Sequence, residues 1–278
     1  MNASVLILLS TVACKKPSPP ADPEFSDALV YTFRAFEEEP AVLAFAVREL
    51  EDQLYSDLDV NSDDAVERSV IPEPLTEEDV ADIEHPSRDP SDALAVALAR
   101  SSSFNMTDHV KVQMMEDQTP IEPSSPDKYN RIILEGEDCF VDTSCEFLRT
   151  ENPLIKDNFL MTIDYTLWKD FRWVDLGLPD PSELEEGEVA EAEVSRWAVV
   201  ARSWTTEPAV GESGNVTIYQ SFTVEVWVPK EDGGVLRMMS LWSEADLGID
   251  LEDDYLLAVT RDGIDDIFVA ADDWIEEN

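Results

Sequence analysis

Residues 159–173 read FLMTIDYTLWKDFRW, and the alternation within them decides the fold class. Met161, Ile163, Tyr165, Leu167, Phe171 and Trp173 fall on one parity. Thr162, Asp164, Thr166, Asp170 and Arg172 fall on the other, with Trp168 and Lys169 out of pattern. A strand turns successive side chains to opposite faces, so this period predicts one long, half-buried strand. Downstream, residues 197–204 and 216–228 repeat the signal. In the latter, Ile218, Phe222, Val224 and Val226 lie on one face, and Thr217, Tyr219, Thr223 and Trp227 on the other. The Gly-containing segment 229–234 reads as a hairpin connection into 235–243, which makes the pairing antiparallel. Residues 255–260 read as a last strand. Asp262-Gly263 then reads as a turn into a helix carrying the stripe Ile264, Ile267, Phe268, Ala271 and Ile275.

Working upstream, the periodicity changes near residue 130. Phe25, Leu29, Phe33 and Phe36 recur at helical spacing, and Pro40 opens a second helix with Val42, Leu43, Phe45, Ala46, Leu50 and Leu54. Thr76 and Asp79 resemble a capping box before a short third helix, and Asp89-Pro90 reads as the start of a fourth through Leu94, Val96 and Leu98. The expected architecture is α+β: N-terminal helices, then a mostly antiparallel, curved sheet with a C-terminal helix packed on it. Residues 24–278 form one domain in this reading, helical over about 24–128 and β over about 129–278, because the first helices need a partner for their apolar faces.

The N-terminus reads as an address. A short apolar run, Val5 to Leu9, precedes Ser10, Thr11, Ala13 and Cys14, which is signal-peptide grammar for residues 1–13. The run is far shorter than the roughly 20 residues a spanning helix needs. Residues 14–23, CKKPSPPADP, read as a polar, proline-rich tether. Thr11-Val12-Ala13-Cys14 resembles the lipobox of bacterial lipoproteins, and that resemblance implies acylation of Cys14 and export to the outer membrane or cell envelope. The remaining two cysteines, Cys139 and Cys145, enclose a short ring, and a disulfide between them suits an oxidising compartment. Loop closure of that size contributes about 2 kcal/mol.

With 62 Asp and Glu against 19 Lys and Arg, the formal charge is -43. Such a polyanion is repelled by nucleic acid and by anionic bilayers alike, so attachment to a membrane must come from lipid. Carboxylate abundance reads as a solvated surface. One stretch has calcium-loop spacing, with Asp59, Asn61 and Asp63 at the first three ligand places. Asp64 then occupies the glycine position and Val70 the closing one, so calcium is the weaker expectation and no other cofactor is implied.

Catalytic patterns are absent from the sequence. His85 and His109 belong to no motif, and Gly211-Glu212-Ser213-Gly214 reads as a turn. The feature that stands out is Arg beside Trp on strands: Arg172, Arg196, Arg202, Trp204, Trp227 and Arg237. If neighbouring strands bring these together, one sheet face could stack and fork onto a small anion or sugar. The competing reading has the arginines neutralising Asp164, Asp170, Glu225 and Glu244 while the tryptophans fill the core. The cysteine ring, FRWVDL (171–176) and RWAVVARSW (196–204) resemble acidic lipoproteins of myxobacteria-like Gram-negative bacteria, a resemblance that implies no activity. Three roles follow as expectations. The first is a lipid-anchored envelope protein with a structural or interaction role, its partner then another envelope protein, for which a closed sheet without a cavity is the signature. The second is a binding module on the Arg and Trp face, and the third a hydrolase with paired carboxylates.

Overall fold

The computed structural model describes residues 24–56, 67–136, 140–141, 147–184, 190–192, 194–212, 214–249 and 251–278. Cys14, Cys139 and Cys145, and the candidate calcium ligands Asp59, Asn61 and Asp63, lie outside them.

The architecture is α+β, as expected. Helices α1 (Phe25–Arg34) and α2 (Pro40–Ser56) come first, followed by a curved antiparallel sheet and helix α4 (Asp253–Glu277). The strands are β1 (Glu67–Val70), β2 (Leu94–Ser102), β3 (Lys128–Tyr129), β4 (Ile132–Glu135), β5 (Phe147–Asp157), β6 (Thr162–Asp175), β7 (Trp197–Trp204), β8 (Ala209–Val210), β9 (Thr217–Pro229) and β10 (Val235–Asp246). Their order is β1-β2-β10-β9-β7-β6-β5-β3, with β4 on β5 and β8 on β9. A bulge between Glu244 and Ala245 shifts the β9–β10 register, and such insertions bend a strand.

Three sequence expectations are corrected. Residues 94–102 are not a helix but the strand β2, paired with both β1 and β10. Asp89 caps only a single 3-10 turn, accepting from the Ser91 amide at 3.0 Å. Ala95, Ala97 and Ala99 face α1 and α2, while Val96 and Leu98 face α4, a period of two that the helix propensity of Ala and Leu disguised. Residues 255–260 belong to α4, and Gly263 sits inside it with open space where a Cβ would be. Thr76 and Asp79 do form the expected cap, with the Asp79 carboxylate accepting from the Thr76 amide and hydroxyl at 2.7 Å, but it closes turns without a helix. Helix α3 (Met106–Gln113), for which no sequence expectation was stated, is capped by Asn105, whose side chain accepts from the Asp108 amide at 3.1 Å.

Both sheet faces are covered. On the outer face, α1 and α2 bury Val174, Ala198, Val200, Phe222, Val224, Val226 and Trp242, with Phe33 edge-on to Trp242 at 5.6 Å. At about 25 cal/mol per Å² of apolar area, this face supplies much of the driving force for folding. On the inner face, Phe171, Trp173, Val199, Ala201 and Trp227 pack with Phe140 and Val110 at one end. Elsewhere α4 crosses the concavity. Its C-terminal half is seated through Ile264 and Phe268 on Val96 and Leu98, and through Ala271 on Val112 and Ile121.

Candidate functional site

The N-terminal half of α4 reaches the sheet through Leu257, which packs on the Val96 and Leu98 cluster, and leaves space beside it. Leu256, Leu257 and Val259 are only half-buried because they line a cavity of about 250 Å³. Its wall is apolar over most of its extent, from Val96, Met239 and Leu241 through Ile218 to Leu154 and Leu167. Gly263 also lines it, so the missing side chain keeps the space open at a cost of about 1 kcal/mol in helix propensity. At one end stand the half-buried Leu160, Met161 and Leu247, close in sequence to the exposed Phe159 and Ile249.

The other end is polar and buried. Lys169 comes off β6 and donates to Glu225 of β9 at 2.5 Å, while its ammonium lies 5.1 Å from the Phe171 ring centroid. Burial pulls its pKa down, and Glu225 opposes that shift. Beside it Arg131 donates from Nε to Asn152 Oδ1 at 3.0 Å and from Nη1 to the Gln113 carbonyl, and stands 5.1 Å from Phe171. Burial pushes the Tyr129 and Tyr165 hydroxyls well above the ordinary phenol range. Ser203 and Thr223 share a 2.6 Å hydroxyl contact across β7 and β9 in the same wall. One sequence signal pointed here: Lys169 is in phase with the apolar face of the 159–173 run, and a lysine there needs a buried partner. Arg131, alone before a short strand, gave no signal.

The Arg and Trp residues singled out in the sequence are not brought together. Arg172, Arg196, Arg202 and Trp204 are on or beside the outer face, tied to the N-terminal helices. Arg172 donates to the Phe36 and Glu38 carbonyls, the latter at 2.9 Å, and Arg196 forks onto Glu51 at 2.8 and 2.5 Å. Arg202 is buried against Phe36, 4.8 Å from its centroid, and donates to Asp82 at 2.8 Å. Trp227 and Arg237 belong to the inner face. Arg237 donates to the Phe268 carbonyl at 2.9 Å and to Asp272 of α4 at 2.8 Å. The expected common patch therefore does not form, because four of the six are on or beside the outer face and the other two on the inner one. The carboxylates named with them are paired instead as Arg149–Asp170, Lys169–Glu225, Arg88–Glu244 and Lys128–Asp164.

Next to Arg237, Ser102, His109 and Asp272 meet in a group that resembles a hydrolytic triad in composition only. Ser102 Oγ donates to Asp272 at 2.8 Å and accepts the Phe104 amide at 3.2 Å. Since the serine proton goes to the carboxylate, His109 Nε2, at 3.0 Å from Ser102 Oγ, must be the protonated nitrogen. An imidazole in that tautomer cannot take the serine proton, and burial with the nearby Arg237 cation holds its pKa down at about 3. The group pins α3 and α4 to β2. Among the described residues, no group of three or more His, Cys, Asp or Glu side chains is placed to hold a metal ion, and no helix is long and apolar enough to cross a membrane.

No family model and no curated protein matches the chain. Among solved structures, it is similar to a STAR-related lipid transfer protein fragment from Xanthomonas axonopodis, at 13% identity over 66% of this chain and 87% of that one, with a TM-score of 0.40. A human StAR-related lipid transfer protein 5 is 8% identical over 86% and 97%, with a TM-score of 0.41. A conserved protein from Geobacillus kaustophilus is 10% identical over 66% and 96%, with a TM-score of 0.37.

Proposed function

We propose that the chain is a non-enzymatic binding protein that takes up a small, mainly apolar molecule between its sheet and α4, and that acylation of Cys14 anchors it in the cell envelope. The observation carrying the first half is the cavity of about 250 Å³. Close packing is the rule in protein interiors, and a void bounded by leucines, methionines and a helical glycine forgoes both dispersion contacts and helix propensity. A ligand restores the dispersion contacts that the void gives up. The cavity also argues against the purely structural role, whose signature was a closed sheet. The anchoring half rests on Cys14 and the tether after it, and a disulfide between Cys139 and Cys145 would suit the same compartment.

The test is a variant that fills the space from within. Gly263→Leu puts an aliphatic side chain on the cavity stripe of α4, where no atom lies within 4 Å of the position a Cβ would take. Calorimetric titration of 1-octanol into wild-type protein should show saturable binding, and Gly263→Leu should abolish it while leaving thermal stability equal or higher. Equal binding by the two proteins would place the ligand elsewhere and sink the proposal.

A further inference from the structure

The cavity is also where this strongly anionic chain turns locally positive. Of the charged side chains that line it, Arg131, Lys156 and Lys169 are cations and Glu122 and Glu225 are anions, an excess of one positive charge in a chain of net charge -43. Glu225 is committed to Lys169 at 2.5 Å. Arg131 is 3% exposed, and among the described residues no carboxylate lies within ion-pair distance of it. Its hydrogen bonds go to neutral groups: the Asn152 amide oxygen and the backbone and side-chain carbonyl oxygens of Gln113. A buried guanidinium with no ion pair of its own is costly, since Glu225 acts on it only through space while bonded to Lys169, and Lys169, with three donor hydrogens and one carboxylate partner, adds a second donor at the same end.

The geometry points to a ligand with a single carboxylate and a short aliphatic body, its acid group held by Arg131 and Lys169 at the buried end and its chain lying along Leu154, Leu167 and Leu241. This inference rests on the cavity being the ligand site. The size follows from the volume: a dry apolar cavity of about 150 Å³ takes a benzene ring, so a space of about 250 Å³ suits a ligand of roughly ten non-hydrogen atoms. The sign is set by the charge excess. In an apolar cavity with neutral polar groups, a carboxylate would bind worse than the matching alcohol, because its desolvation goes uncompensated. With Arg131 in place the order reverses, since charge-assisted hydrogen bonds in a dry site are about twice as strong as neutral ones.

The experiment measures octanoate and 1-octanol on the same proteins by calorimetric titration at about pH 7.5 and reads the ratio of their affinities, which cancels general changes in the cavity. Wild type should prefer octanoate by about tenfold or more. Arg131→Gln should bring the ratio to one or below, Arg131→Lys should restore part of it, and Glu225→Gln, which removes an anion, should raise it. Should Arg131→Gln fail to fold, the wild-type ratio and Glu225→Gln still decide. Octanol binding without preference for octanoate, or a ratio unmoved by Glu225→Gln, overturns the inference and leaves the cavity reading standing. Binding of neither ligand overturns both.

Discussion

Acidification should loosen this protein through one imidazole. His109 is 2% exposed, lies 3.0 Å from Ser102 Oγ and 3.9 Å from the Asp272 carboxylate, and has the Arg237 guanidinium nearby. Burial and that cation lower its pKa from 6.5 to about 3. A histidine whose folded pKa is depressed contributes stability that is fully present above its unfolded pKa and is lost as pH falls, because the unfolded chain gains the proton first. From about pH 7.5 to about pH 5, the expected loss through this group is about 2 kcal/mol. Asp272 works in the other direction, since burial raises its pKa and the folded state binds its proton more readily. A variant retaining Asp272 therefore isolates the imidazole. His109→Gln keeps a donor near Ser102 and does not titrate. Urea denaturation of both proteins at the two pH values should show wild type losing about 2 kcal/mol more than His109→Gln. Identical pH dependence would mean that His109 takes up its proton as readily in the native state as in the unfolded chain, and the argument from burial and the Arg237 cation would be wrong.

Two further outcomes are expected. Arg202→Met should change stability by no more than about 1 kcal/mol, because Nε and Nη1 of this buried arginine have no partner while Glu37 and Asp82 are accessible enough to be solvated alone. A loss of several kcal/mol in chemical denaturation would show that the ion pair, and not the stacking on Phe33 and Phe36, holds the outer face. Metabolic labelling with a palmitate analogue should mark wild type and not Cys14→Ala, and the variant should leave the membrane fraction. Unchanged labelling would refute acylation at that residue.

The positions of β6, β7, β9 and β10 were legible because period two is a strong local signal. Residues 197–204 coincide with β7, and 216–228 and 235–243 depart from β9 and β10 only at the ends. Parity separates two faces but does not say what covers them. Trp168 broke the alternation of β6 because the outer face, taken as solvated, lies against the N-terminal helices along its second half. Lys169 broke it because the inner face encloses a polar pole beside Glu225, contributed by β9, 56 residues later.

The sequence by itself determined the α+β class, the antiparallel strands and the acidic surface, since each follows from local periodicity or from composition. Tertiary structure alone decided that residues 94–102 join the sheet, that α4 begins before Gly263, and that the Arg and Trp residues divide between two covered faces. It also decided that a cavity with one excess positive charge exists. Those outcomes depend on which strand neighbours which and on which helix lies over which face, and a chain's own period carries neither.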